Sequence, residues 1–72
     1  MLIYGYTKEK QGFMEIENTL EAKQKFVGGL IEGTALTEDI DLICNEEGWL
    51  SGLEPRVALP EVKTVIAGDC FI

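Results

Sequence analysis

Asn18-Thr19-Leu20-Glu21-Ala22-Lys23-Gln24-Lys25-Phe26-Val27-Gly28-Gly29 is the stretch that decides the fold, because it is the one place where the chain reads as a helix. Asn18 stands where an N-cap side chain accepts from the backbone, and Glu21 answers it at capping-box spacing. Leu20, Phe26 and Val27, with Ala22 beside them, share one side, while Glu21, Gln24 and Lys25 point out. Gly28-Gly29 then supplies the left-handed stop.

On both sides of this helix the pattern is strand-like. Leu2–Tyr6 reads as a strand ending in the polar turn Thr7–Gly12, and Phe13–Glu17 alternates apolar and acidic as a second. After the helix, Leu30–Leu36 reads as a strand and Thr37-Glu38-Asp39 as a turn. Ile40–Cys44 follows as a strand with Ile40, Leu42 and Cys44 inward. Asn45-Glu46-Glu47-Gly48 resembles a hairpin loop with Gly48 left-handed, and Trp49–Leu53 reads as the returning strand. Glu54-Pro55 and Leu59-Pro60 bracket an irregular crossing, since neither proline serves a central ladder. Thr64–Ile72 is a last strand, in which Gly68, like Gly52 before it, marks a bulge or a close backbone approach. The expected fold class is α+β: one helix packed on a mostly antiparallel β-sheet of about five or six short strands. It forms a single domain over residues 1–72.

Charge is unevenly placed. Residues 1–28 carry Lys8, Lys10, Lys23 and Lys25 against Glu9, Glu15, Glu17 and Glu21, which cancel, so the net charge of −7 lies in residues 29–72. Glu38, Asp39, Asp41, Glu46, Glu47 and Glu54 follow one another without a base between them. Such a stretch either keeps a small protein soluble or forms a face for a basic protein partner. Direct nucleic-acid binding is not expected, because phosphate neutralisation needs a basic patch. No apolar run approaches the ~20 residues of a membrane span, and the start of the chain lacks a secretory pattern.

The inventory of reactive groups is short. With no histidine, neither a histidine-based triad nor a histidine metal site can be built. The carboxylate neighbours Asp39/Asp41 and Glu46/Glu47 sit in surroundings too wet for acid–base work. The Glu38–Glu47 stretch lacks the spacing and central glycine of a calcium loop. No enzyme activity, metal or cofactor is expected. Cys44 and Cys70 lie in apolar stretches and read as buried, reduced thiols of a cytoplasmic protein.

Several segments together resemble a known family. They are Glu17–Ala22, Phe26–Glu32, Leu42–Gly48, Gly52–Pro55 and Ile66–Asp69, with Asn45-Glu46-Glu47-Gly48 and the following Gly52-Leu53-Glu54-Pro55 the most specific part. In this order they resemble a domain-of-unknown-function family of short proteins carried by phages, prophages and conjugative elements, with the signature N-E-E-G-x-L-x-G-L-x-P. Members usually carry asparagine and arginine after that proline, where this chain has Arg56 and Val57. The resemblance implies a mobile-element setting and assigns no site.

The functional expectation is a small acidic binding or inhibitor protein acting on a host protein, for instance one of an antiviral defence. Glu38, Asp39, Asp41, Glu46, Glu47, Trp49 and Glu54 are its candidate contacts. The alternatives are an oligomeric trap for a nucleotide signal, contacted by Tyr4, Tyr6, Trp49, Arg56 and Lys63, or an accessory protein of phage replication. The apolar end Cys70-Phe71-Ile72 reads as an unprotected strand edge, and from it a homo-oligomer, most simply a dimer, is expected.

Overall fold

The computed structural model describes residues 1–59 and 64–72. Among the described residues, seven strands and one helix run in the order β1 (Leu2–Tyr6), β2 (Gln11–Glu15), α1 (Leu20–Val27), β3 (Ile31–Ala35), β4 (Asp41–Asn45), β5 (Pro55–Leu59), β6 (Thr64–Ala67) and β7 (Cys70–Phe71). A five-stranded sheet has the order β2-β1-β7-β4-β3, and β5 and β6 form a separate two-stranded sheet. All pairings are antiparallel. The α+β architecture with one helix is therefore as expected from the sequence.

The register sorts side chains onto two faces of the larger sheet, because residues directly opposite each other share a face. Ile3, Gly5, Phe71 and Ile43 lie on one, through the pairs Gly5↔Phe71 and Ile43↔Phe71. There Ile3, Val27 and Phe71 form a buried cluster with Met14, Phe26 and Ile31 packed against it, so this is the face under α1. Phe26 and Phe71 meet edge to face at 5.2 Å. The second face holds Leu42, Cys44 and Cys70, which are buried with Ile66 of β6, and with Val57 of β5 packed against them. The layers are helix, five-stranded sheet, two-stranded sheet.

This layering corrects the expected edge at the end of the chain. Strand β7 lies between β1 and β4. Its two residues serve opposite cores, Cys70 toward the small sheet and Phe71 toward the helix. A strand buried on both faces reads as a continuous apolar run, and that run had looked like an exposed edge. The free edges of the five-stranded sheet are β2 and β3.

Other boundaries move for local reasons. The N-cap is Thr19, in extended conformation, and its Oγ1 accepts from Ala22 N–H at 3.1 Å; Asn18 precedes the cap. Both residues are good caps by type, and Thr19 is the one that caps because the helix begins at Leu20, directly after it. Thr19→Ala should cost about 1 kcal/mol and Asn18→Ala much less, read from urea midpoints. Leu20 at the first helical position is exposed rather than inward. Gly28 is the left-handed stop as expected, with its N–H on the Gln24 carbonyl at 2.8 Å. Strand β2 occupies Gln11–Glu15 rather than 13–17, and β4 Asp41–Asn45 rather than 40–44, leaving Ile40 exposed. Pro55–Leu59 is a strand, not an irregular crossing. Pro55 starts that strand, where a missing N–H is tolerated, and the register shifts between Pro55 and Val57. The expected strand 64–72 is broken at Gly68, which has a positive φ of 86°. Pro60 and Lys63, both named above, fall outside the described residues.

Candidate binding site

From the end of β4 at Asn45 to Leu53 the chain is a run of turns, not a loop and returning strand. Its Trp-Leu-Ser-Gly-Leu sequence has no period-two alternation to hold a strand, and backbone bonds curl it instead. Ser51 N–H donates to the Glu47 carbonyl at 2.8 Å, and Leu53 N–H to that of Gly48 at 2.9 Å. Asn45 anchors this run twice. Its Nδ2 donates to the Val27 carbonyl at 3.1 Å, capping an orphan acceptor at the end of α1, and its Oδ1 accepts from Glu47 N–H at 2.8 Å. Gly48 does not take the expected left-handed conformation. It is glycine for space: a Cβ there would lie 2.5 Å from the Ala67 carbonyl oxygen.

Seating Gly48 against β6 throws the next two side chains outward. Trp49 Nε1–H donates to the Val65 carbonyl at 3.0 Å, which pins one edge of the ring while 58% of the residue stays exposed. Leu50 is 89% exposed. Beneath them a cavity of about 200 Å³ runs between the turns, β6 and the outer end of β3–β4. Its floor is Cys44, Ile66 and Ala67; its rim holds Trp49, Leu50 and Val65 together with Glu32, Glu46 and Glu47. The three charged lining residues are all carboxylates, and none makes an ion pair among the described residues. An apolar floor with an acidic rim suits an apolar side chain that arrives between cationic ones.

The family model described as Domain of unknown function (DUF3846) matches residues 3–72. The chain belongs to the DUF3846 family. No curated protein and no solved structure matches it. The segments by which the sequence resembled a family of unknown function are, in this DUF3846 domain, largely scaffold. Asn45 ties the helix end to β4, Gly48 admits the Ala67 carbonyl, and Leu53 packs where a Cβ on Gly68 would fall. Glu46 and Glu47 carry no such duty in their side chains, which are exposed.

The other candidate residues of the DUF3846 domain are dispersed. Glu38 and Asp39 lie in the turn between β3 and β4, where Thr37 Oγ1 accepts from Asp39 N–H at 3.2 Å. Asp41 begins β4 beside that turn, whereas Glu46 and Glu47 follow its other end. The acidic run is therefore two groups at opposite ends of one hairpin rather than one face. Glu54 reaches Arg56 at 3.9 Å, and Arg56 also binds Asp69 at 3.2 Å.

The nucleotide set separates as well. Arg56 lines a cleft of about 470 Å³ with Lys8 and Lys25, away from Trp49. That cleft gathers three cations, but Asp69 and Glu54 line it too, and so does the carbonyl end of α1 at Gly28. Tyr4 and Tyr6 lie on the sheet, edge to face at 5.3 Å, and line neither cavity. Lys63 is outside the described residues. Sequence reading missed Leu50 because it was assigned to a strand, and Glu32 and Val65, which are in strands as read, because only tertiary packing brings β3 and β6 beside the turns. The available signal was the adjacent Trp49-Leu50 pair, too apolar for a turn tip unless it is used.

Both cysteines are free and buried. Cys44 Sγ–H donates to the Glu32 carbonyl at 3.6 Å, and burial, helped by the Glu32 charge, raises its pKa. Cys70 is pushed up to about 12, by burial first, then by Cys44 and Asp69, with Arg56 opposing. Thiols held protonated and buried are poor nucleophiles. Among the described residues, no group of three or more His, Cys, Asp or Glu could hold a metal ion, and no helix is long and apolar enough to cross a membrane.

Proposed function

We propose that this DUF3846 domain is a binding protein whose Trp49–Leu50 ledge and acidic cavity rim take a basic segment of a protein partner. The carrying observation is the pairing of a solvent-facing Trp49 and Leu50 with a rim whose charges, Glu32, Glu46 and Glu47, are all negative. Aromatic anchors beside charged rims are where interface energy concentrates. The net charge of −7 draws a cationic partner from a distance, and the rim then orients it. The resemblance to phage and mobile-element proteins supplies the setting: an accessory protein in a bacterial cytoplasm that blocks a host protein, such as a component of antiviral defence. Of the contacts read from sequence, Glu46, Glu47 and Trp49 form this surface. The nucleotide-trap alternative draws less support, because its contacts among the described residues, Tyr4, Tyr6, Trp49 and Arg56, do not converge.

Trp49 is the single tryptophan, so its emission reports this cavity alone. Titration with a short lysine-rich peptide carrying one central phenylalanine should shift that emission, with affinity falling steeply as salt rises. Reversing Glu46 and Glu47 to lysine should weaken binding about tenfold or more and flatten the salt dependence, while melting behaviour is little changed. Affinity indifferent to the double reversal across the salt series would remove this surface from consideration.

A further inference from the structure

We propose that the free edge of β2 is a self-association surface on which two copies pair about a two-fold axis through Phe13. Phe13 is 74% and Leu2 62% exposed, and they lie on the sheet face that, among the described residues, the β5–β6 layer leaves uncovered at this end. Tyr4 sits opposite Phe13 and meets it edge to face at 5.1 Å, so the apolar stripe is continuous. Exposed apolar residues gathered on one edge mark an interaction site more strongly than scattered ones.

The backbone gives the register. Thr7 N–H bonds the Lys10 carbonyl and Ile16 N–H bonds that of Met1, which bracket the β1–β2 ladder. Antiparallel bonding alternates residue by residue. Gly12 and Met14 therefore turn their N–H and C=O toward β1, and Gln11, Phe13 and Glu15 turn theirs toward solvent. Phe13 is the middle residue of β2. A second β2 running antiparallel and centred there places Phe13 opposite Phe13 of the partner subunit, and Gln11 opposite Glu15 of the partner subunit. Every outward backbone group then finds a partner, an aromatic pair sits on the axis, and an amide faces a carboxylate with no like charges opposed. Within Gln11–Glu15 there is no proline or lysine to blunt the edge.

Charge selects this edge over the other. Residues 1–28 are neutral in sum, so the segments that meet here carry no net like charge, and the net −7 of each copy lies in residues 29–72. At the β3 edge, the same antiparallel pairing would bring Glu46 and Glu47, at one end of the β3–β4 hairpin, toward Glu38 and Asp39 of the partner subunit at the other end, acid against acid. The β2 pairing also leaves the Trp49 cavity open, since that lies against β3, β4 and β6. Self-association and partner binding are thus separable.

The test uses the full chain. In sedimentation equilibrium from micromolar to several hundred micromolar, the mass should rise toward twice 8.0 kDa, and Phe13→Lys should hold it at 8.0 kDa. Because Phe13 is exposed, that variant should melt like the parent at concentrations low enough to keep the parent monomeric. Geometry is read by Phe13→Cys with oxidised glutathione: hydrogen-bonded partners have Cα atoms about 5.5 Å apart, within disulfide reach. It should link into a covalent dimer at least tenfold faster than Glu47→Cys, the buried native thiols staying silent in both. A parent mass of 8.0 kDa at the highest concentration, a dimer that persists in Phe13→Lys, or equal linking by the two cysteine variants would each overturn the proposal.

Discussion

Replacing Gly48 by alanine should destabilise the domain by about 3 kcal/mol, more than any other single methyl addition in the Asn45–Leu53 turns. The added Cβ would stand 2.5 Å from the Ala67 carbonyl oxygen and 3.3 Å from the Ala67 carbonyl carbon. Those atoms belong to the backbone of β6, which is hydrogen-bonded to β5, so they cannot swing aside as a flexible side chain would. A chain of 72 residues has about 4–11 kcal/mol of total stability, and the loss is a large share of it. Gly52→Ala is the contrast. Its φ of 71° makes a side chain strained, but nothing lies within 4 Å of the new methyl, and about 1 kcal/mol is expected. Urea midpoints of the two variants should therefore separate clearly. Equal midpoints would mean that the turns are not seated on β6 as described, and the Trp49 cavity would fall with them. Because Gly48 positions Trp49, Gly48→Ala should also shift the tryptophan emission before any denaturant is added.

That contrast shows what was legible in the sequence and what was not. The helix could be read because it needs only local chemistry: an apolar side, a first-turn Glu21 and a glycine stop at Gly28. Strands β1 and β3 could be read from composition and flanking turns. Gly48 was visible as a required glycine, yet its reason was assigned to the wrong cause, because a left-handed φ is a local property and a carbonyl from 19 residues downstream is not. The order β2-β1-β7-β4-β3 was hidden for the same reason. Cys70 and Phe71 look alike whether they end a sheet or divide two cores. For the site, Glu46, Glu47 and Trp49 were legible as a charged turn beside an aromatic residue. Glu38, Asp39 and Asp41 were grouped with them by adjacency in sequence, and the length of β4 then set the two groups apart.

The two cysteines should make the fold sensitive to alkali. Cys70 has no exposed surface, and its folded pKa of about 12 stands above the ordinary thiol value near 9. Below pH 9 the thiol is protonated in both folded and unfolded chains, and the stability from burying it is fully present. Between pH 9 and about 12 the unfolded chain releases the proton while the folded one keeps it. The unfolded state then binds fewer protons, so stability falls as pH rises, at about 1.4 kcal/mol per pH unit once the unfolded thiol is ionised. Cys44, also raised, adds to the same side. Tyr6, raised by burial, Tyr4 and Cys70, does so above pH 10. The discriminating measurement is a difference between proteins. Urea midpoints from pH 7 to 11 should drop more steeply for the parent than for Cys70→Ala, which starts lower but has lost that thiol. In parallel, a thiol-reactive dye at pH 8 should label neither cysteine until urea unfolds the chain. Parallel slopes in the two proteins, or prompt labelling of the native one, would show that Cys70 is not held protonated between the two sheets.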